Sequence, residues 1–222
     1  MGSKPTDDPT GARIVSTGTA FPPFSITQLD SALLAQELCI TQRWKNALPA
    51  LYRKSGVTKR GSVLLQSDSE TITERQSFYT VATDASPRGP TTGQRMAVYA
   101  QHAGPLLERA CRACLDRVAW DASCMPHLVS VSCTGFFSPG VDHELMDSLG
   151  LSNRVQRTHV GFMGCHGLVN GLRIAQAIAI ADPKANVLVG FWTRFACGSD
   201  PLASTINQPS RKDSRPRHGT RS

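Results

Sequence analysis

Residues 161–181 read GFMGCHGLVNGLRIAQAIAIA, and in them a cysteine lies among glycines ahead of a long apolar run. Gly164 and Gly167 stand on either side of Cys165 and its neighbour, and glycine permits tight backbone turns that a side chain would block. The run that follows has helical spacing. The stretch therefore predicts a sharp elbow that carries Cys165 to the amino end of a helix.

The helix after the elbow is nearly devoid of polar residues. Between residues 168 and 181 the polar positions are Asn170, Arg173 and Gln176, and the remaining positions are apolar around the whole axis. A helix without a solvent-facing side belongs in the interior of a protein. We therefore expect this helix to lie at the centre of the structure, covered on most sides.

Segments of strand and helix character alternate along the rest of the chain. Strands are expected at residues 12–22, 59–65, 127–133, 154–162 and 185–191. Helices are expected from Asp30, as the cap, to Cys39, and over residues 41–54, 93–118 and 141–150, with a kink or break at Gly104 and Pro105. This alternation favours an α/β domain with a mostly parallel sheet and helices on both faces.

Composition and charge narrow the class of protein. The chain has 222 residues, of which 40% are hydrophobic and 18% charged, enough for one globular domain. The net charge of +7 includes five basic residues in the last stretch, RKDSRPRHGTRS, so the body is only mildly basic. No run reaches the roughly 18 apolar residues that a membrane span needs. We expect neither nucleic acid nor a membrane as partner, and disorder in residues 1–11 and in a basic tail from residue 192.

Cysteine usage favours a reducing compartment. Seven cysteines are spread through the chain, and no apolar signal segment stands ahead of them. We therefore expect free thiols and a cytoplasmic protein. Cys111 and Cys114 form a CxxC, but no second pair stands at zinc spacing, so packing positions on a helix are the better interpretation and no metal site is expected.

Five segments together carry a resemblance to a known family. They are STGTAFPP (16–23), LPALYRKSGVTKR (48–60), RMAVYAQHAGPLLERA (95–110), SCTGFFSPGVDHELMDSLGL (132–151) and GFMGCHGLVNGLRIAQAIAIADPKANVLV (161–189). In this order and spacing the chain resembles the N-terminal half of a type III polyketide synthase, the chalcone synthase-like branch of the thiolase superfamily. The resemblance implies a thiolase-like N-terminal domain over residues 12–191, with the C-terminal half missing.

The resemblance implies an acyltransferase in which Cys165 is the catalytic nucleophile. Family members load an acyl group from acyl-CoA onto a cysteine, decarboxylate malonyl-CoA and condense the two, with no cofactor beyond these substrates. The positive end of a helix favours the thiolate that this chemistry needs. From the residues alone, Cys165 can also be a buried structural thiol. A further interpretation is a hydrolase elbow of the G-x-nucleophile-x-G type. The match is only partial, because Met163 stands where that motif has its first glycine.

The resemblance also assigns substrate-binding positions. Lys54 matches a family lysine that contacts the phosphates of coenzyme A, although the residue is equally read as a solvated surface charge. Cys133, Thr134 and Ser138 match positions that line the acyl cavity, and they are equally read as ordinary residues that close a strand. Phe136 and Phe137 lie between these positions, where they can narrow a pocket or fill the core, and we expect them to fill the core.

The departure from the family concerns its second half. Intact members continue for roughly as much sequence again and bring a His and an Asn that act on the thioester carbonyl and the carbanion. After ANVLV (residues 185–189) the sequence no longer resembles the family. We expect a frame change, a premature stop or a mis-assigned gene boundary as the cause, and no full condensing activity in this chain alone.

Two alternative functions stay open at this point. A β-ketoacyl-ACP synthase III-like condensing enzyme would share the elbow but take its acyl group from a carrier protein. A non-catalytic remnant would pair with a full-length homologue through ANVLVGF, residues 185–191, because the matching family strand lies at a dimer interface and a free strand edge invites such addition. Either a homodimer or this pairing is the expected assembly.

Overall fold

The computed structural model of the chain describes residues 12–39, 41–68, 71–81, 89–133, 135–182 and 184–192. The helices are α1 Gln28–Leu38, α2 Gln42–Lys54, α3 Thr92–Asp116, α4 Val141–Leu149 and α5 Gly167–Ala181. The strands are β1 Ser25–Thr27, β2 Lys59–Gly61, β3 His127–Ser132, β4 Gln156–Gly161 and β5 Val187–Trp192. The expected tails lie outside the described residues, except that Trp192 ends β5 and is buried.

A parallel sheet of three strands forms the centre of the fold, in the order β4-β3-β5. In the middle strand, Val131 stands opposite Val160 of β4 and Phe191 of β5. Side chains of β3 are buried on both faces, because α5 packs against one face while α3 and α4 pack against the other. The α/β architecture with a mostly parallel sheet is therefore confirmed.

The main hydrophobic core lies between the sheet and helices α3 and α4. Its members include Leu106, Leu107, Leu115, Leu128, Leu145, Leu149, Leu188 and Trp192. Each buried leucine contributes roughly 1.5–3 kcal/mol relative to an exposed one. A smaller cluster of Ala35, Cys39 and Leu48 holds α1 against α2.

Helix α3 runs through the position where a break is expected. It is continuous over 25 residues and begins with a capping box formed by Thr91 and Gln94. Pro105 removes one backbone hydrogen bond from the helix interior, yet the helix continues because its buried side is packed on α4 and β5. Gly104 faces the Glu144 side chain of α4, so α3 and α4 are in contact at this position. A break at this position is therefore wrong, and the alternative of a kink stays a prediction.

The prediction of a strand at residues 12–22 is also wrong. This segment is not part of a strand and instead lies along the C-terminal part of α3. The Ser16 hydroxyl donates to the carbonyl of Cys114 at 2.7 Å, and the Arg117 guanidinium donates to the carbonyl of Thr17 at 2.8 Å. Its polar groups therefore bond to a helix rather than to a neighbouring strand.

Two other boundaries need correction, and one is confirmed. The cap of α1 is Thr27, whose hydroxyl accepts the N–H of Asp30 at 3.0 Å, so Asp30 lies inside the helix. The strand expected at 59–65 shortens to β2, which pairs antiparallel with β1. The end of α4 at Gly150 is confirmed, since this residue adopts φ 69° and closes the helix in the left-handed conformation that suits glycine.

Helix α5 packs on the sheet through its glycines. A Cβ on Gly171 would lie 2.6 Å from Cγ2 of Val131, and a Cβ on Gly167 would lie 3.0 Å from Cγ1 of the same valine. The absence of side chains at these positions therefore brings the helix axis close to β3.

The opposite side of α5 is open, contrary to the expectation that the helix is covered on most sides. Val169, Leu172 and Ile180 are exposed, the last of them to 55%. The described part of the chain contains no helix with the length and apolar character needed to cross a bilayer.

Replacing Gly171 with alanine is predicted to destabilise the fold by about 1–3 kcal/mol, because the added methyl overlaps Val131 and must lift α5 from the sheet. Urea unfolding followed by circular dichroism measures the change. Gly93→Ala is the matched control, since this exposed glycine in the first turn of α3 has room for a methyl. Equal losses in the two variants would contradict the close contact.

Candidate active site

The elbow between β4 and α5 places Cys165 at the protein surface. Strand β4 ends at Gly161, a single 3-10 turn spans Gly164–His166, and α5 begins at Gly167. The Cys165 side chain is exposed. In this chain Cys165 is therefore not a buried structural thiol.

Gly164 and Gly167 are suited to their positions in the elbow for different physical reasons. Gly164 adopts φ 60°, the left-handed region that favours glycine, and a Cβ built on it would meet nothing within 4 Å. This position therefore needs glycine for its backbone conformation and not for space. Gly167 is the reverse case, with an ordinary helical φ of −51° and a tight approach to Val131.

Phe162 adds a second left-handed residue to the elbow. Its φ is 60°, which is uncommon for a residue with a large side chain and costs on the order of 1–3 kcal/mol. Its N–H donates to the carbonyl of Ser132 at 3.2 Å, and its ring contacts that of Phe136 edge-on at 5.5 Å between centroids. Strained backbone of this kind persists only where surrounding contacts hold it, and such positions cluster at functional sites.

Cys133 lies directly behind the elbow. It follows β3, is buried, and its Sγ donates to the carbonyl oxygen of Gly164 at 2.7 Å. Burial raises the pKa of the Cys133 thiol, and the nearby charge of Cys165 raises it further. Of the positions assigned from the sequence, the structure thus brings Cys133 and Cys165 together.

The amino end of α5 has no side-chain cap among the described residues. His166 stands at the cap position, is exposed, and forms no capping hydrogen bond. The first N–H groups of a helix carry a partial positive charge and attract anions. This end of α5, which begins two residues beyond Cys165, can therefore face a negatively charged group.

A buried hydrogen-bonded chain supports the loop beside the elbow. The Tyr99 hydroxyl donates to the Ser132 hydroxyl at 2.8 Å, which donates to the carbonyl of Gly135 at 2.7 Å. A Cβ on Gly135 would lie 2.0 Å from the Tyr99 ring, so a side chain there would displace the loop. We did not predict these hydrogen bonds, although the sequence carries a signal for them: Ser130 and Ser132 alternate with valines in β3.

The other predicted positions are dispersed or undescribed. Lys54 is exposed at the last position of α2, which packs on α1. Ser138 is exposed in the loop after β3, and Thr134 lies outside the described residues. Phe136 is 54% exposed, so the expectation that it fills the core is wrong; its ring instead packs on Phe162.

A cleft of about 530 Å³ lies elsewhere, between α3 and the segments that precede it. Its lining includes Leu64, Phe78, Gln94, Val98 and His102 but not Cys165. Burial lowers the pKa of His102, so its imidazole tends to stay neutral. The exposed thiol and this cleft are therefore separate features of the described residues.

Comparisons with known proteins identify the family. The family profile for chalcone and stilbene synthases, N-terminal domain, matches residues 4–197. The alpha-pyrone synthesis polyketide synthase-like Pks18 of Mycobacterium tuberculosis is 30% identical over 186 residues, which cover 83% of this chain and 44% of that protein. Type III polyketide synthase C of Arabidopsis thaliana is 31% identical over 180 residues, 80% of this chain and 44% of that protein.

The fold is also similar to that of a solved structure. A fungal type III polyketide synthase, ORAS, matches with a TM-score of 0.65 and 24% identity over 81% of this chain and 45% of that one. The chain thus spans less than half the length of the curated relatives it matches. Of the two families of condensing enzyme considered from the sequence, the comparisons support the type III polyketide synthases. The chain belongs to the chalcone and stilbene synthase family, and the matched part is its N-terminal domain.

Proposed function

We propose that this chain carries the acyl-loading half of a type III polyketide synthase, with Cys165 as the nucleophile. The observation that carries the proposal is an exposed thiol on a glycine elbow, next to a helix end without a side-chain cap. Thiols form thioesters that stay reactive toward carbon nucleophiles, which suits an acyl group held for later condensation.

The loading step is a thioester exchange. The sulfur of Cys165 attacks the acyl carbon of acyl-CoA, the bond from that carbon to the coenzyme A sulfur breaks, and the proton of the cysteine thiol ends on coenzyme A. Charge that develops on the carbonyl oxygen is stabilised by N–H donors, and the open amino end of α5 supplies such donors. Cys165 emerges as an S-acyl cysteine.

Decarboxylation of malonyl-CoA and condensation belong to the whole protein in this proposal. The family resemblance assigns them a His and an Asn from the C-terminal half, and this chain spans 44% of its relatives. The family resemblance assigns Thr134 and Ser138 to the lining of the acyl path. The described cysteines are free thiols, which is consistent with the proposed cytoplasmic location.

Lys54 is proposed to contact the phosphates of coenzyme A. It follows Arg53 in the last turn of α2, and both side chains are exposed. Two adjacent cations on flexible stems can meet phosphate groups without a fixed pocket.

A second candidate is a non-catalytic subunit that pairs with another chain. Two observations favour it. One side of α5 exposes Val169, Leu172 and Ile180. The neighbouring strand β5 pairs only with β3 within the described residues. An apolar helix face and a free strand edge both favour association. A homodimer or a pair with a full-length homologue would cover them.

Incubating the full chain with isotope-labelled acyl-CoA is predicted to acylate Cys165, as peptide mass spectrometry would show. Cys165→Ala should remove the adduct, because Cys165 is the one exposed thiol at the elbow among the described residues. Cys124→Ala is the matched control, since Cys124 is also exposed but lies ahead of β3. A folded chain without any adduct on Cys165 would favour the non-catalytic subunit.

Lys54→Ala is predicted to raise the acyl-CoA concentration for half-maximal labelling of Cys165 about two- to fivefold, as expected for one exposed charge. An acyl-pantetheine without phosphates should show no such change. Lys59→Ala, which removes another exposed lysine, is the control. The assignment fails if both lysine variants weaken labelling equally, or if the phosphate-free donor is affected as strongly as acyl-CoA.

Size-exclusion chromatography is predicted to show the isolated chain as an oligomer or aggregate, because Val169, Leu172 and Ile180 of α5 are 37–55% exposed and covering each would gain about 1 kcal/mol. The double variant Leu172→Gln with Ile180→Gln should shift the protein toward monomer. Gln176→Asn, a polar change in the same helix, should leave the elution volume unaltered. A compact monomer of the unaltered chain would contradict the prediction.

A further inference from the structure

The carbonyl of Gly164 receives two hydrogen bonds from different directions. The N–H of Gly167 donates to it and closes the single 3-10 turn that contains Cys165. The thiol of Cys133 donates to the same oxygen at 2.7 Å from the end of β3. One acceptor thus joins the turn that carries Cys165 to the sheet behind it.

We propose that Cys133 is a positioning residue, whose S–H holds the Gly164 carbonyl and thereby fixes the turn that presents Cys165. The inference rests on the proposed function, because it takes Cys165 as the nucleophile. It differs from the role that the family resemblance implies for this position, which is to line the acyl cavity.

The turn needs such support because its own bonding is sparse. A 3-10 turn of three residues has poor hydrogen-bond geometry and offers one closing bond. On its amino side, Phe162 has positive φ, which a residue with a large side chain keeps only where neighbouring contacts impose it. The Cys133 thiol supplies a contact from a part of the chain 31 residues away.

Cys133 is itself held in place. The preceding residue, Ser132, is buried, belongs to β3, and is bonded through its hydroxyl to Tyr99 and to the carbonyl of Gly135. The segment around Cys133 is thus fixed on both sides, and the thiol can act as a rigid anchor.

The chemistry of the buried thiol agrees with a donor role. Burial and the neighbouring Cys165 both raise the pKa of Cys133, so the group keeps its proton at neutral pH. A protonated thiol is a donor, although a weak one. The two cysteines therefore have separate tasks: Cys133 donates a hydrogen bond and Cys165 is free to react.

Hydrogen exchange of the full chain tests the proposal. Cys133→Ala and Cys133→Val remove the donor, and we expect amides of residues 162–168 to exchange about two- to fivefold faster, as for loss of one weak hydrogen bond. Cys133→Ser keeps a donor on a shorter bond and should stay near the exchange rates of the unaltered chain. Cys39→Ala is the matched control, because it removes another buried thiol that donates to a backbone carbonyl.

Alkylation gives a second readout that needs no acyl-CoA. The ratio of iodoacetamide modification at Cys165 to that at Cys124 should change in the Ala and Val variants and return in the Ser variant. If the Ser and Val variants give the same exchange and alkylation, Cys133 is only a packing residue. If exchange is unchanged in every variant, the hydrogen bond from Cys133 does not hold the turn. Should the Ala variant fail to fold, the Ser and Val comparison decides. Neither readout involves acyl transfer. If Cys165 is not acylated, the proposed function fails, but exchange and alkylation still test the role of Cys133.

Discussion

The contact between the glycine side of α5 and Val131 is the constraint on which the rest of the site depends. With no side chains at Gly167 and Gly171, the helix lies directly on β3, and its amino end comes to the carboxyl edge of the sheet. Loops that follow neighbouring parallel strands meet at this edge. The contact therefore brings Cys165, carried after β4, next to Cys133, carried after β3.

Features set by local chemistry were the ones that the sequence predicted well. Gly150 ends α4 and Gly164 turns the elbow because both positions need a left-handed backbone, which depends on a few neighbouring residues. The parallel sheet followed from apolar segments between helices. Residues 12–22 look like a strand by the same local measure, but a strand also needs an edge to pair with, and this segment bonds to α3 instead.

The site was harder to predict than the elbow because its contacts join distant parts of the chain. Cys165 could be singled out from its glycine neighbours, whereas the bond from Cys133 to the Gly164 carbonyl spans 31 residues and has no sequence pattern. Phe136 was expected inside because it is aromatic. Its place depends on what stands opposite the loop, and in this chain that is the exposed ring of Phe162.

The two cysteines at the elbow have the same side chain but lie in different surroundings, one buried and one exposed. Cys133 lies at the end of a buried strand, where loss of water around the thiol favours the protonated form and makes it a hydrogen-bond donor. Cys165 lies two residues before a helix on the exposed side of the same turn, where a reagent can reach it. Because the Gly164 carbonyl belongs to the peptide bond between Gly164 and Cys165, a thiol that bonds to this carbonyl also holds the backbone of Cys165.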